Sequence, residues 1–320
     1  MPSSQSRLIN FVLRNNHLLK FHLSKDAWDL NTSIPQFREE CEKGARKSGK
    51  LPEGIEVSPV HIDGLPAGLS AEWIRPSTKR HEGVLFYAHG GGYVSGSCSD
   101  HRRFVAKFVD GSGVSALSYE YRLAPEHPYP AAIEDSLAAY GWLLSKGVSP
   151  LQIVIVGESA GGGLCLAMLL ALRDKGIPQP AAAVALSPWT DLKITGDSYR
   201  TKVKVCISPR GMNTVCSKYY VGDNDPCLPW ISPLYGDLHG LPPICIYVGD
   251  DETMRDDSLR FAEKAQEAGV EITLNVAQGM VHCYPLFAPL FPEATQAMQE
   301  ICAFIKTHTH KELEPAAIHG

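Results

Sequence analysis

Two short stretches carry residue types that could do chemistry together. In Gly157-Glu158-Ser159-Ala160-Gly161 a serine sits between the apolar run Ile153 to Val156 and a second apolar run that starts at Leu164. A serine on a sharp strand-to-helix turn lifts its hydroxyl clear of the backbone, above the positive end of the following helix. Taken alone, the pentapeptide also fits a helix-capping serine beside glycines that ease packing. The second stretch, His89-Gly90-Gly91-Gly92-Tyr93, favours the chemical option. A serine that attacks an acyl carbon creates an oxyanion, which needs fixed donors at about 2.7–3.1 Å. The N–H groups of Gly91 and Gly92 can supply two of them and Ala160 a third, with His89 bracing the loop. A dinucleotide-binding turn does not fit. Gly90-x-Gly92-x-x-x-Gly96 misses the spacing, and the next helix starts only near Ser99.

A nucleophilic serine needs a base, and the base needs an acid to orient it. Of 12 histidines, most lie in polar company near the C-terminus or in loops. His282, in AQGMVHCYPLF, follows a strand and a glycine and precedes a final helix at about 293–306, which makes it the candidate base. The chain order serine, acid, histidine then requires an acid after an intervening strand. Asp250, Asp251 and Glu252 all follow the strand 243–249, and any of the three can serve; Asp256 and Asp257 read as the start of a helix.

The elements around these residues alternate. Extended segments are expected at 55–62, 69–75, 84–89, 114–121, 152–157, 181–187, 243–249 and 270–276, several of them solidly apolar, as strands covered on both faces are. Helical stretches between them end at Gly147, Gly176 and Gly269. This rhythm predicts an α/β fold with a mostly parallel central sheet and helices on both faces. Residues 1–50 read as polar and helical, and 192–240 interrupt the alternation for longer than a compact domain usually tolerates. Both are expected to form a helical cap, over a catalytic core of residues 51–191 and 241–320.

Composition narrows the class. A net charge of −5 over 320 residues, with no basic stripe, speaks against nucleic acid as a partner. The longest near-continuous apolar run, Leu164 to Leu172, is half a membrane span. The N-terminal apolar patch is broken by Arg14 and Lys20, unlike a secretory signal. Nine scattered cysteines form no C-x-x-C pair, which fits free thiols in a cytoplasmic protein. No cofactor or metal is expected, and the partner is a small-molecule ester; a homodimer through a sheet edge is compatible with the sequence.

From about residue 55 to 306 the chain resembles the hormone-sensitive-lipase family of α/β-hydrolases, which includes many microbial carboxylesterases. The resemblance rests on HGGGY, YRLAPEHPYPAA, GESAGG, SPWTDL, SPLYGDLHGLPP and GMVH. It implies a serine hydrolase with Ser159 as nucleophile, His282 as general base and a helical cap. Two departures stand out. Glu158 replaces a frequent aspartate, and the family's acid pattern, laid without gaps, falls on Glu252, with Asp251 in reserve. Short- to medium-chain esters are the expected substrates, processed through an acyl-enzyme. Amide or lactone hydrolysis at the same triad, or a non-catalytic binder on the same scaffold, are the alternatives. Trp189 and Tyr93 are expected to wall the substrate pocket, with Tyr284 and Phe287 adding apolar surface.

Overall fold

The computed structural model describes residues 2–15, 27–47, 50–78 and 81–309. All eight expected strands form: β1 (Ile55–Pro59), β2 (Ala71–Pro76), β3 (His81–Ala88), β4 (Val114–Tyr119), β5 (Ile153–Glu158), β6 (Ala182–Leu186), β7 (Ile244–Gly249) and β8 (Ile272–Ala277). They pair in the order β1-β2-β4-β3-β5-β6-β7-β8. The first two pairings are antiparallel and the rest parallel. Every residue of β5, β6 and β7 is buried, the pattern of strands covered on both faces. The edge strands β1 and β8 are only partly covered.

The helices are α1 (Ser4–Arg14), α2 (Ile34–Lys47), α3 (Cys98–Ser112), α4 (Ala131–Ser145), α5 (Ala160–Asp174), α6 (Met212–Val221), α7 (Arg255–Glu267) and α8 (Pro292–Thr309), with a single helical turn at Ser198–Thr201. Side chains alternate across each strand, so the sheet divides the core in two. Phe86 and Ala88 of β3 face α4, α5 and α7; Leu85 and Tyr87 face α3 and α8. α5 is buried from Ala160 through Leu172 and is apolar nearly all round, as a helix enclosed by other layers must be. α3 starts one residue before the expected Ser99, because Ser97 and Asp100 form a reciprocal capping box.

The two segments outside the alternation meet each other. Trp28 donates its N–H to the carbonyl of Arg210 at 2.8 Å, and the Tyr219 hydroxyl donates to the carbonyl of Leu30 at 3.0 Å. Among the described residues no helix is long and apolar enough to cross a membrane.

Candidate active site

Ser159 stands between β5 and α5 with φ 55° and ψ −120°, a strained conformation for a residue with a side chain. Its side chain makes no capping bond to the helix, which removes the plain capping explanation. The turn closes because its flanks are bare. A Cβ on Gly157 would lie 2.4 Å from the carbonyl oxygen of Gly161, and one on Gly161 would lie 2.2 Å from that of Ala88. The Ser159 N–H is held by Leu186 at 2.8 Å and its carbonyl by Trp189 at 3.0 Å, so β6 and the loop after it brace the turn.

His282 meets the acid that the family pattern singles out. Nδ1 of His282 bonds Oε2 of Glu252, whose side chain is fully buried. The other carboxylate oxygen accepts from the Ser187 hydroxyl and from the Gly249 N–H, each at 2.7 Å. Ser187 in turn accepts the Cys283 N–H at 2.9 Å, fastening the histidine loop to the same post. Burial works against a charged imidazole, but Cys283 and the Glu252 carboxylate outweigh it and hold the His282 pKa well above its usual value. Nδ1 is thus taken by the acid, and the ring also lies against the Cys283 thiol.

Asp251, the reserve candidate, does not meet the histidine. It forms ion pairs with Arg14 at 2.7 Å and Lys202 at 3.2 Å, tying α1 and the insertion to the core. Asp250 pairs with Lys202 and Arg255. Asp256 and Asp257 lie in the first turn of α7, as expected of a helix start, and they also hold the insertion. Asp256 accepts the Ser198 N–H at 2.8 Å, and Asp257 accepts those of Thr190 and Asp191 at 3.0 and 2.9 Å.

The glycine loop has a more divided role than expected. Gly90 gives its N–H to Oε1 of Glu158 at 2.7 Å, so it is spent on the protein. Among the described residues the N–H groups of Gly91, Gly92 and Ala160 have no protein acceptor. The bareness of the loop also answers to protein neighbours. A Cβ on Gly91 would lie 2.3 Å from the Ser95 carbonyl oxygen, and one on Gly92 would lie 2.8 Å from Sγ of Cys216 in α6. His89 braces the loop as expected: Nδ1 lies 2.8 Å from the Gly90 carbonyl oxygen, and the ring stacks on Tyr121 at 4.2 Å. Burial, with help from His101, lowers its pKa to about 4, so it stays neutral.

Two partners of the loop escaped the sequence. Nε2 of His101 lies 2.9 Å from Oε1 of Glu158, and its Nδ1 bonds Asp100. Burial opposes charge here too, yet the two carboxylates raise the His101 pKa to about 10. Tyr87 donates to the remaining oxygen of Glu158. Glu158 therefore links the serine turn directly to the glycine loop, a stronger role than a tolerated substitution for aspartate. The only local signal was the capping pattern around Ser97 to Asp100; Ser187 lay within SPWTDL but carried no mark of its role.

Gly91, Gly92, Ser159, Trp189 and His282 all border one cavity of about 220 Å³. Met212, Cys216, Met254, Phe104, Cys283 and Leu286 complete its apolar wall. Trp189 thus borders the cavity. Tyr93 does not. Its φ of 63° turns it away, and it packs flat on Tyr220 with ring centres 3.7 Å apart. Tyr284 and Phe287 are replaced at the cavity by Leu286: Tyr284 packs into the core on the α8 side, and Phe287 stacks on Phe291.

A family model described as alpha/beta hydrolase fold matches residues 85–286. An acetyl-hydrolase of Streptomyces hygroscopicus is 40% identical over 248 residues, 77% of this chain and 82% of its own length. A carboxylesterase of Mycobacterium tuberculosis, NlhH, is 32% identical over 270 residues, 81% of this chain and 85% of that one. A crystal structure of the esterase EstE5, soaked with p-nitrophenyl butyrate, superposes with a TM-score of 0.85 at 37% identity and covers 97% of this chain and 100% of its own. An esterase of the bacterial hormone-sensitive lipase family gives 0.86 at 36% identity, covering 97% and 99%. Likeness over this much of the molecule, on top of the strained serine turn, shows that the chain belongs to the α/β-hydrolase fold family, in its hormone-sensitive-lipase group of carboxylic ester hydrolases.

Proposed function

We propose that the chain is a serine carboxylesterase acting on short- to medium-chain esters, with Ser159 as nucleophile, His282 as general base and Glu252 as its orienting acid. Nε2 of His282 takes the Ser159 proton as the oxygen attacks the acyl carbon. The carbonyl electron pair moves onto oxygen, where Gly91, Gly92 and Ala160 donate their N–H groups. Collapse breaks the bond to the alcohol, which leaves with the proton from His282. Water then enters, gives a proton to the same nitrogen and releases the carboxylic acid, regenerating the serine. Glu252 keeps the ring in one tautomer and offsets its charge; it takes no proton itself.

The contact between Glu252 and Nδ1 of His282 carries this assignment, because it spends one ring nitrogen and leaves the other for catalysis. The cavity of about 220 Å³ supports a small acyl group, as does the name of the Streptomyces relative. Residues 192–240 act as a cap, since α6 contributes Met212 and Cys216 to the cavity wall, and the described part of residues 1–50 joins it through Trp28 and Leu30. All nine cysteines are free, which supports work in the reducing cytoplasm. A homodimer would form through the outer edge of β8, which ends the sheet. A fluorophosphonate probe tests the nucleophile: it should label the protein once, and Ser159→Ala should abolish labelling. Unchanged labelling of that variant would refute the assignment, and a wild-type protein that resists the probe would indicate a binder.

A further inference from the structure

A second cavity, of about 420 Å³, lies between α2 and α3. Phe37, Cys41 and Gly44 line it from α2, and Phe104 and Lys107 from α3. Gly91, His101 and Phe104 border both this cavity and the smaller one that holds Ser159. The two spaces therefore meet at the glycine loop.

We propose that the larger cavity receives the alcohol part of the ester, and that the enzyme takes short-acyl esters of extended, largely apolar alcohols. The assignment rests on the hydrolytic mechanism proposed above. In that mechanism the leaving oxygen must face His282 to collect its proton, so the alcohol lies on the imidazole side of Ser159. The α3 wall is on that side. Nζ of Lys107 donates to the Leu286 carbonyl at 2.5 Å, joining the cavity to the loop that carries His282. The acyl group is then left with the smaller cavity, which Trp189, Met212 and Cys216 help to line.

The ionisable lining, Asp100, His101, Arg103 and Lys107, all comes from α3, and the α2 side offers mainly carbon. Phe37 is held edge-on against Trp28 with ring centres 4.7 Å apart, and Phe104 forms the seam between the cavities. Both ring nitrogens of His101 are taken by Asp100 and Glu158, so the ring offers a passing chain no free polar atom. Burial pushes the Cys41 thiol up to about 11, keeping it neutral at working pH. The cations of Arg103 and Lys107 sit on the α3 side of the same space, where a polar end of the alcohol could be met.

Gly44 makes the assignment testable, because a Cβ there would meet no atom within 4 Å. A larger side chain at that position starts from open space at the rim of the cavity, and in a helix it replaces the poorly suited glycine. The experiment measures kcat/KM by pH-stat for acetates of methanol to octanol and for methyl esters of acetic to octanoic acid. In Gly44→Trp the ratio of octyl acetate to methyl acetate should fall at least tenfold relative to the wild type, given about fourfold per apolar methylene. The ratio of methyl octanoate to methyl acetate should move less than twofold. Gly44→Leu should show the same change at smaller size, which covers a misfolded tryptophan variant. A fall in the acyl ratio instead would assign the cavity to the acid part, and unchanged ratios would remove it from the ester path; either overturns the proposal while the hydrolase stands. A wild type that hydrolyses none of these esters overturns the hydrolytic mechanism itself.

Discussion

The two sides of Ser159 are built from the same parts and used differently. On each side a buried glutamate holds a half-buried histidine: Glu252 with His282, and Glu158 with His101. His282 is tied to one carboxylate, at Nδ1, while His101 is tied to two, one at each nitrogen. A ring with a free nitrogen can accept and return a proton. A ring clamped between two carboxylates is a fixed cation that can only position what it touches. On the proposed mechanism, the number of ring nitrogens held by carboxylates, more than burial or the identity of the acid, separates the base from the strut.

Breaking the catalytic side should cost most. Ser159→Ala or His282→Ala should lower kcat by about 10⁶ with little change in thermal stability, measured by steady-state kinetics and melting curves. Glu252→Gln keeps the shape but loses the charge, and should lower kcat by about 10⁴. Asp251→Asn, which breaks only partly exposed ion pairs, should stay within about threefold, since such pairs contribute roughly 0–1 kcal/mol. If Asp251→Asn proved the more damaging, the choice of acid would be wrong.

The positioning side should cost less. Glu158→Gln should loosen Gly90 and with it the neighbouring donors, lowering kcat by about 10²–10³ with KM nearly unchanged. Glu158→Asp should recover part of that loss by restoring charge on a shorter stem. An equal rise in KM would mean that the carboxylate shapes binding rather than the transition state.

The smallest effects are in pH dependence, where the two histidines should separate. As the proposed base, His282 must be neutral to act, and its pKa lies above its ordinary 6.5, so kcat/KM should rise with pH through a midpoint above that value. Removing the Glu252 charge takes away one cause of the elevation, so the residual activity of Glu252→Gln should have its midpoint at lower pH. His101, raised from 6.5 to about 10, favours the folded state most below pH 6.5, and that contribution is lost as pH rises through about 10. Melting temperature should therefore fall on the alkaline side, and His101→Gln should flatten that fall. A slope unaffected by the substitution would show that His101 is not the fixed cation described.

The fold was legible because its signals are local. Apolar runs of β5, β6 and β7, bounded by turns, announce buried strands, and Gly157 and Gly161 mark the serine turn. The Glu252 contact was reachable only by laying the family pattern on the chain, since Asp250 and Asp251 look equivalent in composition. Ser187 and His101 were not legible. Ser187 joins Glu252 and Cys283 across 65 and 96 positions, and His101 joins Glu158 across 57, separations at which no periodicity survives. Tyr93 misled for the opposite reason. It adjoins the glycine loop in sequence, but its positive φ sends the ring to Tyr220.

A crystal structure of the wild-type protein after reaction with an alkyl fluorophosphonate tests the central claim most directly. The account predicts phosphorus bonded to Oγ of Ser159, its unesterified oxygen about 2.7–3.1 Å from the N–H groups of Gly91, Gly92 and Ala160, and Nε2 of His282 turned to Oγ or to the alkoxy oxygen. Phosphorus on another residue, or its oxygen facing away from those three donors, would contradict it.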